Sequence, residues 1–201
     1  QQTSGKAAPA ATYQDMLKNP FDEQLADYYF QSEPVIIGNN QEQVIGKPAI
    51  YATAAPSPDL QYLLVSSIHR PYSYLVPISR FPTEVEIWKM NGEVVKKLAS
   101  NPLDEVRPKG FDAASNNPAT ITWVQALDGG DPKKDVPFRD ALNALPAPFT
   151  GNPVVLVKTV DRLAGIYWGN DHFALVEDAN SSKQKMRVSK ITPADPSKAP
   201  V

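Results

Sequence analysis

Three segments of the chain repeat one pattern: a strand-like run, a turn of Asn, Asp, Pro or Gly, and an apolar strand ending in valine. They are "ATAAPSPDLQYLLV" (52–65), "FDAASNNPATITWV" (111–124) and "AGIYWGNDHFALV" (164–176). The terminal residues Val65, Val124 and Val176 lie 59 and 52 positions apart. Each unit continues through a loop into more strand: "VEIWKMNGEVVKKL", then "FRDALNAL" with "PVVLVKT", then "KMRVSKI". Short strands that recur with this longer period are the mark of β-propeller blades. A sandwich has turn signals every ~8–12 residues without it. A chain built this way is all-β, its sheets antiparallel meanders, because no helical segment separates successive strands.

The expectation is a partial β-propeller of about three four-stranded antiparallel blades with a short N-terminal helical segment. Residues 1–11 read as a linker or cut point, polar and rich in Ala and Pro, and residues 12–31 as short helices decorating the propeller. The propeller portion then spans 32–192, with blades at about 33–46 (partial), 49–99, 110–159 and 163–191 (partial), and a tail at 193–201. In 12–31, Tyr13, Met16 and Leu17 fall at helical spacing with Thr12 as cap, and Pro20 interrupts. A second short helix carries Phe21, Leu25 and Tyr28 or Tyr29 on one face, read as a packing face. The segment 33–46 reads as a hairpin around "GNNQE", and 84–99 as a hairpin with a two-residue turn at Asn91-Gly92. Propellers close with ~4–8 blades, so three imply open edges at both ends, and open edges invite self-association.

Composition supports strands over long helices. Among 201 residues there are 20 prolines against 10 glycines, and the prolines sit between apolar runs rather than inside them. Hydrophobic residues are 42% and charged residues 21%, which allows a sizeable core. The net charge of −2 and the lack of a basic stripe argue against nucleic acid. Pairs such as Lys96-Lys97 and Lys133-Lys134 read as solvated turns. With no cysteine, disulfides, thiolate metal sites and cysteine nucleophiles are excluded, while the compartment stays open. No run of ~18 apolar residues marks a membrane span.

The stretch "SSIHRPYSYLVPISRFP" (66–82) holds one of the two histidines. Ser67 and His69 share a face on a strand, but no strand–turn–helix elbow or Gly-rich donor loop accompanies them, so an independent nucleophilic site is not expected. The blade pattern makes this stretch the connection between second and third strands, equivalent to "ALDGGDPKKDVP" (126–137) and "EDANSSKQ" (177–184). Equivalent loops emerge on one face of a propeller. That face would gather His69, Arg70, Tyr72, Tyr74, Arg80, Asp128, Asp131 and Asp135. One reading is a rigid connector whose tyrosines pack and whose Arg70 or Arg80 pairs with a carboxylate. The other has Arg70 or Arg80 facing a cavity, where a guanidinium grips a carboxylate through two hydrogen bonds.

The aspartates of "DGGDPKKD" are too sparse for a calcium loop and read as a turn with Gly129-Gly130 at positive φ. His172 reads as a residue at a strand turn rather than a ligand. Trp88, Trp123 and Trp168 read as core between blades. No metal or cofactor is expected.

The strings "TYQDMLKNPFDEQLADYY", "YLLVSSIHRPYSYLVPISRFPTEVEIW", "ALDGGDPKKDVPFRD" and "GIYWGNDHFALV" resemble the propeller of the glutamyl endopeptidase-like branch of the prolyl oligopeptidase family. The resemblance covers about residues 12–190 in the same order. It implies a β-propeller that caps a C-terminal α/β-hydrolase domain, restricting access to peptides and positioning them. It implies a Ser–Asp–His triad, with the serine in Gly-x-Ser-x-Gly. That motif is absent from this sequence, so no catalytic residue is carried over. The resemblance thus implies a non-catalytic portion of a serine peptidase, with the hydrolase domain and a peptide substrate as partners. An exported bacterial parent and a plastid parent fit equally, and the alternative is a stand-alone propeller-type interaction module.

Overall fold

The computed structural model describes residues 13, 16–38, 40–105, 113–117, 120–131, 133–170 and 172–201. The linker 1–11 and the cap at Thr12 lie outside them. The chain divides into two units, Gln1–Lys109 and Gly110–Val201. Among the described residues both consist mostly of small antiparallel sheets, none of them closed. Among the described residues no helix is long and apolar enough to cross a membrane.

The first unit opens on α1 (Pro20–Phe30). The Asn19 side chain accepts from the N–H groups of Phe21 and Asp22 at 2.9 and 3.1 Å. Pro20 sits in the first turn, where a missing N–H costs nothing. It therefore starts the helix instead of interrupting one. Met16 and Leu17 are not helical, because a residue before proline is pushed out of the helical region and Asn19 supplies the stronger start signal. The expected packing face is also reversed. Only Ala26 is buried, while Phe21, Tyr28 and Tyr29 are largely exposed and Leu25 is 37% exposed. The helix instead turns Glu23 and Asp27 toward the unit, for reasons given below.

Strand β1 (Gln31–Ser32) follows directly and pairs with β4 (Ala49–Pro56). Between them, β2 (Val35–Gly38) and β3 (Gln41–Val44) form the expected hairpin, with Asn40 at φ +55°. That hairpin is a sheet of its own, and β1 takes the edge beside β4. A meander then runs through β4, β5 (Tyr62–Ile68), β6 (Thr83–Lys89) and β7 (Val94–Asn101). The first turn is held by Ser57, whose hydroxyl donates to Asp59 Oδ1 at 2.6 Å and accepts from Tyr62 N at 3.0 Å. The β6–β7 turn spans Met90, Asn91 and Gly92, longer than the two-residue expectation. Lys89 N donates to Glu93 O at 2.8 Å, with Gly92 at φ +87°. The lengthening fits a close approach: a Cβ on Gly92 would lie 2.0 Å from the carbonyl oxygen of Ile45.

The core of this unit joins the small hairpin to the sheet: Ile45, Leu63, Val65 and Trp88, with Ile36, Tyr51 and Met90 packed alongside. Tyr51 and Trp88 meet edge to face at 6.1 Å. Leu64, Val85 and Ile87 are buried as well. They alternate with Leu63, Val65 and Trp88, so both faces of β5 and β6 are covered.

In the second unit, β8 (Ala113–Asn117), β9 (Thr120–Ala126), β10 (Asp140–Pro146) and β11 (Val154–Thr159) form a four-stranded meander. A three-stranded one follows: β12 (Arg162–Asn170), β13 (Phe173–Asn180) and β14 (Lys185–Ile191). The two sheets share one core, Leu142, Ala144, Leu156 and Val157 from the first and Ala174, Val176 and Ile191 from the second. Val124, Leu163, Ile166 and Trp168 pack against it. Val65, Val124 and Val176 stand in β5, β9 and β13, the second strand of the β4–β7, β8–β11 and β12–β14 meanders respectively.

Candidate functional site

The loop between β5 and β6 is clipped to its own unit. His69 N donates to Pro82 O at 3.0 Å as the loop closes. The buried Ser73 donates from its hydroxyl to Glu105 Oε1 at 2.7 Å and accepts from Leu75 N at 3.0 Å. The Tyr72 ring stacks on buried Phe81 with centroids 5.0 Å apart.

On its outer side the loop meets α1 through five polar groups. Glu23 and Asp27 are four apart, so they project from one helix face. The two terminal nitrogens of Arg70 divide between them: Nη1 donates to Glu23 Oε2 and Nη2 to Asp27 Oδ2 at 2.7 Å. The second oxygen of each carboxylate takes a phenol. Tyr74 donates to Glu23 Oε1 at 2.7 Å and Tyr72 to Asp27 Oδ1 at 2.5 Å. Each carboxylate thus receives one guanidinium N–H and one tyrosine O–H, and this is what turns α1 to its observed rotation. The Arg70 guanidinium also lies 4.7 Å from the Tyr72 ring centroid.

The electrostatics follow. The hydrogen bonds from Tyr74 and Arg70 hold the Glu23 carboxyl below its usual range. Burial would raise that of Asp27, but the bonds from Tyr72 and Arg70 outweigh it and the net direction is down. Burial and then the bond to Asp27 push the Tyr72 phenol up, and the bond to Glu23 pushes up Tyr74. Asp27 and Glu23 together hold Arg70 more firmly protonated.

The neighbouring candidates behave differently. His69 Nε2 is 3.7 Å from Glu84 Oε1, and that carboxylate is shared with Lys97 at 2.5 Å and Ser100 at 2.6 Å. Ser67 lies across from Tyr51 and Glu84, and Ser66 across from Thr53 and Val85. Among the described residues no hydrogen bond joins either serine to His69, so no nucleophile–base pair is formed there. Arg80 ends a short 3-10 turn, Ile78–Arg80, with its guanidinium 5.6 Å from the Tyr13 ring centroid. No carboxylate is within ion-pair distance of it among the described residues.

Asp128 and Asp131 belong to the second unit, in the loop between β9 and β10. The Asp128 side chain is fully buried. Its Oδ1 accepts from Gly130 N at 2.8 Å, and its Oδ2 from Arg139 Nη1 at 2.8 Å and Arg162 Nη2 at 2.5 Å. Burial would raise its pKa, but the bonds from Arg162, Arg139 and Gly130 hold it down at about 2. Arg162 reaches on to Asp140 Oδ1 at 2.6 Å, and Asp140 Oδ2 accepts from Leu163 N at 2.8 Å. Asp131 serves through its backbone oxygen, 3.2 Å from Arg139 Nη1, and its side chain accepts from Lys133 N. Gly129 and Gly130 take positive φ, as the turn reading expects. A second network ties Arg187 to Asp161 and Asp178 at 2.8 and 2.9 Å. Among the described residues no three His, Cys, Asp or Glu side chains are arranged to hold a metal ion. His172 donates its N–H to Asn170 Oδ1 at 2.9 Å beside β13.

Sequence reasoning singled out Arg70, Tyr72 and Tyr74, which the structure joins, but missed their partners Glu23 and Asp27. The signal was present as two acids four apart in "FDEQLAD". It also missed Arg139, Asp140, Asp161, Arg162, Asp178 and Arg187. Adjacent Arg-Asp and Asp-Arg pairs at strand starts (139–140 and 161–162) marked the first four.

No family model matches the chain, and no solved structure matches it. A protein of Oryza sativa subsp. japonica described as a probable chloroplastic glutamyl endopeptidase is 39% identical over 195 residues, covering 90% of this chain and 21% of that protein. A protein of Arabidopsis thaliana with the same description is 38% identical over 195 residues, covering 90% and 20%. The chain is homologous to one stretch of these proteins and spans about a fifth of the length of the curated relatives it matches.

Proposed function

We propose that the chain is a non-catalytic, propeller-type portion of a glutamyl endopeptidase-like serine peptidase, where it gates and positions peptide substrates for an α/β-hydrolase domain outside these residues. The homology to one stretch of two probable glutamyl endopeptidases carries this reading. Two features of the fold support it. Antiparallel meanders follow one another along the chain, and the two in the second unit share one apolar core, as neighbouring blades would. The chemistry is compatible with it: among the described residues no hydrogen bond joins Ser66 or Ser67 to His69, and the Asp128 carboxylate is committed to arginines. In this reading the hydrolase domain and a peptide are the partners, and open sheet edges are places where copies can associate.

Fluorogenic peptides with and without glutamate test the reading. The chain alone should give no turnover. A longer protein that includes the hydrolase domain should cleave the glutamate peptide, and deletion of residues 1–201 should change its discrimination between short peptides and folded proteins. Turnover by the chain alone that S67A or H69A abolishes would refute the proposal, as would unchanged discrimination after the deletion.

A further inference from the structure

We propose that the Arg70–Tyr74 loop is a receptor with two carboxylate seats, filled in cis by Glu23 and Asp27 of α1, and that a glutamate-bearing peptide competes with the helix for it. The geometry is that of a receptor rather than a simple ion pair. One guanidinium divides its two terminal nitrogens between two carboxylates, and a phenol completes each seat at 2.5 and 2.7 Å. The loop backbone and one of its phenols are held independently of the helix, since Tyr72 is stacked on Phe81 and Ser73 is buried and bonded to Glu105. Tyr72, with the Arg70 guanidinium over its ring, therefore does not depend on the helix for its place.

The occupant is held less firmly than the receptor. Of α1, only Ala26 is buried, and Phe21, Tyr28 and Tyr29 face outward. Little apolar area anchors the helix, and the bond to Asp27 is open to solvent, with Arg70 49% and Asp27 43% exposed against 16% for Glu23. The helix continues into β1, whose pairing with β4 tethers it when it swings away. A tethered occupant raises the concentration of ligand a competitor must reach, without adding contacts. The receptor would then take the side-chain class that the relatives' description names, with α1 standing where a substrate carboxylate would sit. This rests on the proposed function only for the source of the peptide.

The probe is a capped peptide with glutamates four apart, compared with its glutamine counterpart, and binding is read by calorimetry on the 201-residue chain. The E23Q/D27N variant, its seats vacated, should bind the glutamate peptide about tenfold or more tightly than the parent chain does. Added salt should weaken binding, the glutamine peptide should not bind, and R70A in the same background should abolish binding. Failure of a folded E23Q/D27N chain to gain affinity overturns the proposal, and so does binding that survives R70A. Should E23Q/D27N fail to fold, the parent chain decides: saturating glutamate peptide must shift the Arg70 side-chain NMR signal and speed amide exchange in α1, and no change overturns the proposal. Peptide cleavage plays no part in these readouts, so their failure leaves the proposed function standing.

Discussion

Replacing Asp128 with asparagine removes one charge from a site where two arginines converge. The magnitude follows from the carboxyl group itself. Its ordinary pKa is 3.8 and in the fold it is about 2. At ~1.4 kcal/mol per unit, that difference is about 2 kcal/mol of stability carried by the ionised form. Breaking a fully buried pair costs about 3–5 kcal/mol. Arg139 and Arg162 are 24% and 38% exposed, and Arg162 keeps Asp140, so the lower figure applies. Because the folded pKa is depressed, this stability is fully present above about pH 4 and disappears as the pH falls through about 2. Urea unfolding of parent and D128N chains, followed through the amide signals of Leu142 and Val176, measures it. At pH 7 the midpoint for D128N should fall by about 1 M, and the gap should hold down to about pH 4 and close between there and about pH 2. A loss under about 0.5 kcal/mol, or one equal at both pH values, refutes the assignment of this charge to the fold.

Two further substitutions test the elements that frame the candidate site. G92A forces a side chain into the left-handed region and drives a Cβ toward the Ile45 carbonyl oxygen, so it should destabilise the first unit by about 1–2 kcal/mol or more in urea unfolding. N19A removes the cap from Phe21 and Asp22 and should cost α1 about 1 kcal/mol, read as roughly fivefold faster amide exchange within Pro20–Phe30.

The helix shows where local reading stops. Asn19-Pro20 is a strong local start signal, and Pro20 is misread only when taken as a break between two helices. The direction α1 faces is not local information. By apolar spacing, Phe21, Leu25 and Tyr28 outrank Ala26 for burial. The observed rotation is set by Arg70, Tyr72 and Tyr74, which lie 43–51 positions further along the chain. Asp128 presents the same difficulty: the glycines after it announce a turn, while Arg162, 34 positions away, decides what the carboxylate does.

By itself, then, the sequence determined the longer strands, their antiparallel order along each meander, and the placing of Val65, Val124 and Val176 on the second strand of each. Alternating side chains and the φ demands of Ser-Pro-Asp, Asn-Gly and Gly-Gly act within a few residues of one another. Only the tertiary structure decided which charges meet, which face of α1 is hidden, and that β1 rather than the small hairpin extends the first sheet. A carboxylate pairs equally well with any guanidinium brought to it, so its partner is chosen by the path of the backbone and not by the residues on either side.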